Sequence, residues 1–205
     1  MVMGRRICSE RNILICLYLT IFLLPLSSWL FYFVLVPAAL LSMGDIFLTK
    51  RKVNYGGKWG WVGGGFLVCS FLSVSGAADF FFSIFNWCFL PLAYAFLYVL
   101  ISTYFAGEEE KRQALYVFLA GAVCVVIWGF IQYADAGCMA RDLNAEGWVD
   151  PERFPLLRRR MFSTLENPNL FGAYLLMLIS VFAPFALSER NNKRKILLAV
   201  FLFVL

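Results

Sequence analysis

Apolar runs close to twenty residues long recur along this chain, and short segments rich in lysine and arginine separate them. A helix needs ~20 apolar residues to cross the ~30 Å hydrocarbon core of a bilayer. In hydrocarbon each backbone amide must find its partner inside the protein, which leaves helices and closed barrels as the spanning structures. A barrel would show segments of roughly ten residues with alternating polarity, whereas these runs are solidly apolar. Of the 205 residues, 61% are hydrophobic and 15% charged, against about 45–50% and about 25% in a soluble domain. The pattern predicts an all-α fold, a polytopic transmembrane helix bundle forming one domain over residues 1–205.

The first apolar block, Ile13 to Met43, is too long for one span. Pro25-Leu26-Ser27-Ser28 interrupts it, with a proline that lacks a backbone donor and serines that favour a turn. Two short helices, about 12–25 and 29–48, are expected there, and a single kinked, tilted helix is the alternative. Further spans are expected at about 59–76, 84–105, 114–133 and 168–187. Trp59 and Trp61 suit an interfacial anchor, and Gly63-Gly64-Gly65 permits close helix contact. Pro91 falls in the first two turns of the fourth span as drawn. Asp79 falls in a turn before it, and Asp45 near a helix end. Asn167 is a natural cap for the sixth span, with Pro168 in its first turn. A seventh stretch, Ile196 to Leu205, has ten apolar residues, about 15 Å of helix or half a bilayer. That predicts the N-terminal part of a longer protein, with a complete protein ending in a short helix as the alternative. Arg5, Arg6 and Arg11 before an apolar stretch mimic a signal peptide, but no small-x-small cleavage site follows, so an uncleaved helix is expected.

With the N-terminus in the cytoplasm, the inside segments hold Arg5, Arg6, Arg11, Lys50, Arg51, Lys52, Lys58, Lys111, Arg112, Arg190, Lys193, Arg194 and Lys195, thirteen of the eighteen basic residues. The positive-inside rule favours this orientation, and it requires six spans before residue 188. The net charge of +5 therefore reflects topology rather than nucleic-acid binding. The other five, Arg141, Arg153, Arg158, Arg159 and Arg160, all fall in one extracytoplasmic loop, 134–167. They have two readings: ion pairs with Asp142, Glu146, Asp150, Glu152 and Glu166 of the same loop, or an anion clamp at the membrane surface. Arginine suits a clamp because its planar fork grips phosphate in a bidentate way and stays charged. The amino end of the sixth helix would add to it. The chain has no histidine, which removes the commonest general base and metal ligand. Its six cysteines include no C-x-x-C pair, so neither a zinc site nor a disulfide framework is indicated. Cys16, Cys69, Cys88 and Cys124 fall in spans as small apolar packing residues, Cys8 precedes them, and Cys138 lies in the long loop.

The run Arg160-Met-Phe-Ser-Thr-Leu-Glu-Asn-Pro-Asn-Leu-Phe-Gly-Ala-Tyr-Leu, at the mouth of a span, resembles the signature of the O-antigen ligase and polymerase superfamily. That signature is an arginine, Ser/Gly-Thr, Asn-Pro-Asn and an aliphatic helix. The paired short helices around Pro25 and the motif's place after five spans are similar as well. The resemblance implies a multi-pass protein of the bacterial cytoplasmic membrane that transfers glycan from an undecaprenyl-pyrophosphate carrier to a hydroxyl acceptor. Arginines would hold the pyrophosphate, no metal or cofactor would be needed, and a residue of a later external loop, often histidine, would activate the acceptor. The Ser-Thr-Leu-Glu-Asn-Pro-Asn variant looks more like Gram-positive members, which favours a cell-surface polysaccharide polymerase over a ligase. Carried over by position, Arg160 matches the motif arginine, Asn167, Pro168 and Asn169 its turn, and Gly172 and Tyr174 the start of its helix. Ser163 falls in the Ser/Gly position. Arg158 and Arg159 join the pyrophosphate-binding set on charge alone, and Asn167 and Asn169 also read as purely structural cap and turn.

The partners implied are a lipid-linked oligosaccharide donor, a glycan or other hydroxyl acceptor, and membrane lipid, with no nucleic acid. No catalytic residue is assignable. Some relatives with a similar pattern are described as bicarbonate transporters, which makes inorganic-carbon transport an alternative, and a non-catalytic membrane scaffold is another. A transporter would place ionisable groups near mid-membrane, and the predicted spans are nearly free of them.

Overall fold

The computed structural model describes residues 2–134, 161–165 and 167–205, with side-chain surroundings from residue 10 onward. Over these residues the chain is all-helical. The helices are α1 Val2–Leu23, α2 Ser28–Thr49, α3 Lys58–Val74, α4 Phe80–Trp87, α5 Ala93–Tyr104, α6 Glu108–Ala134, α7 Pro168–Ser188 and α8 Asn192–Val204. A π-helical turn, Cys88–Leu92, joins α4 to α5, and a 3-10 turn, Ser163–Leu165, precedes α7. Four helices are long and apolar enough to cross a membrane: α2, the continuous Phe80–Tyr104 helix, α6 and α7. Large apolar side chains such as Phe33, Phe47, Phe81 and Leu176 face outward along them, as they do on helices that meet lipid.

The split of the first apolar block occurs where proline interrupts it. α1 ends at Leu23, whose carbonyl accepts from Leu26 N at 2.9 Å and Ser27 N at 3.1 Å, and α2 starts at Ser28. Four expected boundaries move. α6 starts at Glu108 rather than near 114, because its charged residues are good helix formers. α1 starts at Val2 rather than near residue 12, because arginine and glutamate are good helix formers even where hydropathy is low. The fourth span starts at Phe80 rather than 84, because the Asp79 carboxylate caps it by accepting from Phe82 N at 2.9 Å. Pro91 consequently lies in mid-helix. Lacking an N–H, it cannot serve the Trp87 carbonyl, and the helix widens there into the π turn. Lys193, Arg194 and Lys195, expected in a loop, lie in the first turns of α8, which Asn191 caps.

Two compact units are distinguished: Met1–Ile21 with Trp29–Tyr116, and Phe22–Ser28 with Val117–Leu205. In the first, Phe31, Leu35, Leu97 and Leu100 are buried, and the Phe31 and Tyr94 rings stack at 5.5 Å. α3 packs on α4 through an edge-to-face contact of Phe71 with Trp87 at 5.0 Å. In the second, Phe182 is fully buried, stacked on Phe118 and met edge-on by Phe201. There α6 closes on the Leu24–Ser27 turn at Gly121, where an added Cβ would stand 2.7 Å from the Phe22 carbonyl oxygen. The cysteines of the spans, Cys16, Cys69, Cys88 and Cys124, are free thiols, and the last three are exposed rather than packed inside. Cys138 lies outside the described residues.

The approach at Gly121 gives a direct prediction. Gly121→Ile forces backbone apart and lowers stability by about 1–3 kcal/mol, whereas Gly172→Ala, with nothing within 4 Å of the added carbon, leaves it unchanged or slightly raised. Thermal unfolding of the two variants in detergent, followed by helical circular dichroism, compares them.

Candidate functional site

The segment running into α7 is built as a fixed turn in the second unit. Ser163 is buried and takes a left-handed backbone, φ 54°, a conformation that costs a non-glycine residue on the order of 1 kcal/mol and persists only where its surroundings hold it. The holder is Gln132 in the last turn of α6. Ser163 N donates to Gln132 Oε1 at 2.8 Å, and Gln132 Nε2 donates to the Ser163 carbonyl at 3.2 Å. One side-chain amide thus satisfies both backbone groups of a buried residue. Ser163 Oγ donates to the Val125 carbonyl at 2.5 Å, and Thr164 Oγ1 donates to the Pro25 carbonyl at 2.7 Å. Gly129 makes room: a Cβ there would lie 3.2 Å from the Phe171 ring and 3.7 Å from Ser163 Cβ.

Beyond the turn, Asn167 is the N-cap of α7. Its Oδ1 accepts from Asn169 N at 2.8 Å and Leu170 N at 3.4 Å, and Pro168 occupies the first helical position. Asn169 is exposed. The Tyr174 hydroxyl is buried and has no hydrogen-bond partner among the described residues. Of the sequence-predicted residues, Ser163, Asn167, Pro168 and Asn169 therefore come together around one helix start. Arg158, Arg159 and Arg160, their possible partner Glu166, and most of the 134–167 loop lie outside the described residues.

The first unit holds a charged cluster that sequence reading missed. Asp45, in the last turns of α2, is buried and accepts from Arg51 Nε at 3.1 Å and from the Tyr104 hydroxyl at 3.1 Å. Arg51 also reaches Glu10 at 3.0 Å and lies 4.8 Å over the Tyr104 ring. Partial burial works against the guanidinium charge, but the hydrogen bond from Arg51 to Glu10 and the charges of Glu10 and Asp45 outweigh it, so its pKa is raised. The cluster ties the start of α1, the end of α2, the loop after it and the end of α5. Nearby, Asn54 N donates to Thr103 Oγ1 and Asn54 Nδ2 to the Ser102 carbonyl. The available signals were an acid placed on an apolar helix and, for Gln132, an amide in the last turns of an apolar span. Arg51 is near Asp45 in sequence, but Tyr104, and Ser163 for Gln132, lie far away.

The chain matches no protein-family model, no curated protein and no solved structure.

Two sets of variants test these networks by thermal unfolding. Gln132→Leu strands a buried N–H and a buried C=O of Ser163 and costs about 2–3 kcal/mol. Ser163→Gly loses the Oγ bond but relaxes the backbone, so its net change stays within about 1 kcal/mol. Arg51→Gln leaves the Asp45 carboxylate buried without its cation and costs on the order of 3 kcal/mol. In an Asp45→Asn background the same change costs far less, and the double-mutant cycle measures the coupling.

Proposed function

We propose that this chain is the donor-binding part of a membrane glycan transferase similar to O-antigen ligases and polymerases, taking oligosaccharide from an undecaprenyl-pyrophosphate carrier. The observation that carries the reading is the pinned turn. Residue 161 begins a segment whose Ser163 and Thr164 make four hydrogen bonds to Gln132, Val125 and Pro25 and which ends in a capped helix start. A side chain that grips a leaving pyrophosphate must be held in place to stabilise developing charge without reorganisation, and Arg160 directly precedes that segment in sequence. The N–H groups of a helix start also favour an anion. The left-handed φ of Ser163 gives a physical reason why the signature admits serine or glycine there. Arg158 and Arg159 would add charge to the same clamp.

The accompanying topology is six spans with the N-terminus in the cytoplasm of a bacterium, in its cytoplasmic membrane, and residues 134–167 outside. It requires α1 and α3 to cross as well as the four helices that are long and apolar enough to do so. α3 has 17 residues, about 25 Å, which a locally thinned bilayer accommodates. Within the first unit, Glu10, Asp45, Arg51 and the end of α5 meet, as alternating up-and-down helices would bring them together. The transport alternative would need ionisable groups near mid-membrane. Among the described residues the buried one is Asp45, four residues from the end of α2 and held by Arg51.

Arg160→Ala is expected to weaken retention of undecaprenyl-pyrophosphate oligosaccharide by about tenfold or more, the loss of one charge-assisted contact. Retention in proteoliposomes is read directly, so the result does not depend on supplying the acceptor. Unchanged retention would reject the proposal, and bicarbonate flux in the same vesicles would replace it with transport.

A further inference from the structure

Between α3 and the Phe80–Tyr104 helix, the first unit leaves a groove of about 610 Å³, walled by Trp59, Gly63 and Leu67 on one side and Leu90, Tyr94 and Tyr98 on the other. The two helices are fastened at the far end, where Trp87 Nε1 donates to Ser70 Oγ at 2.9 Å. At the near end, the loop leading into α3 is fastened to the end of α5 through Asn54 with Thr103 at 3.1 Å and with Ser102 at 3.0 Å. Between these points the wall on the α3 side includes Gly60, Gly63 and Gly64 beside Trp59, Phe66 and Leu67. A Cβ added at Gly63, Gly64 or Gly65 would meet nothing within 4 Å. The glycine run, expected to let another helix approach closely, makes no such contact among the described residues.

Three features define what fits. From Trp59 to Leu67, α3 rises about 12 Å, a little under half of a ~30 Å core, so the groove has the depth of one leaflet. The Ser70–Trp87 contact closes it beyond that point. A helix crossing the whole bilayer would have to part α3 from α4, whereas an acyl chain ends at mid-membrane. At the mouth a second space of about 580 Å³, lined by Val53, Asn54, Gly57 and Trp61, shares Tyr55 and Gly60 with the neighbouring groove. The loop that forms it carries Lys50 and Lys52, and Lys58 opens α3; all three are exposed and make no ion pair among the described residues. Arg51 is already committed to Asp45 and Glu10.

We propose that this groove holds one acyl chain of an anionic phospholipid whose phosphate is met by Lys50, Lys52 and Lys58. The aromatic rings of Tyr55 and Trp59 line the mouth, where such rings favour the lipid interface. The site differs from the arginine clamp in residues and in ligand, and its readout involves no glycan transfer.

The test uses the chain in phosphatidylcholine nanodiscs containing a trace of phosphatidylglycerol or of phosphatidylcholine, each with a diazirine in its acyl chain. Labelled peptides are mapped by mass spectrometry after irradiation. The phosphatidylglycerol probe is expected to label Trp59–Leu67 and Leu90–Tyr98 roughly tenfold more than the phosphatidylcholine probe, since each basic residue near the surface adds to the attraction. The exposed-residue variant K50Q/K52Q/K58Q should erase that preference, and G63L/G64L, which fills the groove, should lower labelling by both probes. Equal labelling by the two probes, or labelling spread evenly over all helices, would overturn the proposal. So would a Gly64→Cys variant that cross-links to a second copy in the same membranes, which would assign the groove to a helix contact.

Discussion

In a chain whose helices lie in hydrocarbon, a backbone group that leaves the helical ladder must find its partner elsewhere in the protein. Four breaks in this chain are met in that way. The Pro25 carbonyl, in the turn between α1 and α2, accepts from Thr164. Asn54 N, in the loop after α2, donates to Thr103. The Phe89 carbonyl, in the π turn around Pro91, accepts from the Tyr32 hydroxyl. Both backbone groups of Ser163 are met by Gln132. Tyr32, Thr103 and Gln132, polar side chains on apolar helices, are thus counterparts of these breaks.

Charge follows the same rule with a larger penalty. An isolated buried carboxylate would cost several kcal/mol, and Asp45 is buried in company: a guanidinium, a phenol and, across that guanidinium, a second carboxylate. Because Arg51 belongs to the loop rather than to a helix, the pair fixes the loop to the end of α2. The same loop is held again through Asn54. Two independent fastenings leave Lys50 and Lys52 as the cations of this loop that face outward, beside Lys58 at the start of α3.

Local chemistry made much of the fold legible. Apolar runs predicted helices, Pro25 predicted the first turn, and Asn167 before Pro168 predicted a cap that the structure contains. What escaped was of two kinds. Hydropathy does not register helix formed by charged residues, so it places the beginnings of α1 and α6 too late, and it passes over the cap at Asp79, so it starts the fourth span at 84 rather than Phe80. The other kind is long-range: the partners of Gln132, Thr164 and Asp45 lie 31, 139 and 59 residues away. No periodicity encodes such pairings, and Asp45 looked like an acid at a helix end until Tyr104 and Arg51 were placed beside it. Of the candidate arginines, Arg160 rests on the motif and Arg158 and Arg159 on charge alone, and all three lie outside the described residues.

The pinned turn also narrows which motif residues are free for chemistry. Ser163 Oγ, Thr164 Oγ1 and Asn167 Oδ1 are each engaged by backbone groups, so a substrate would have to displace an internal hydrogen bond to use any of them. Asn169 is exposed and carries no such obligation. A pyrophosphate at this helix start would therefore meet the arginines, the Asn169 carboxamide and whatever backbone N–H the cap leaves available, while Ser163 and Thr164 act through the position of the chain. Loss of their hydroxyls should then be felt as misplacement of Arg160 rather than as loss of a contact.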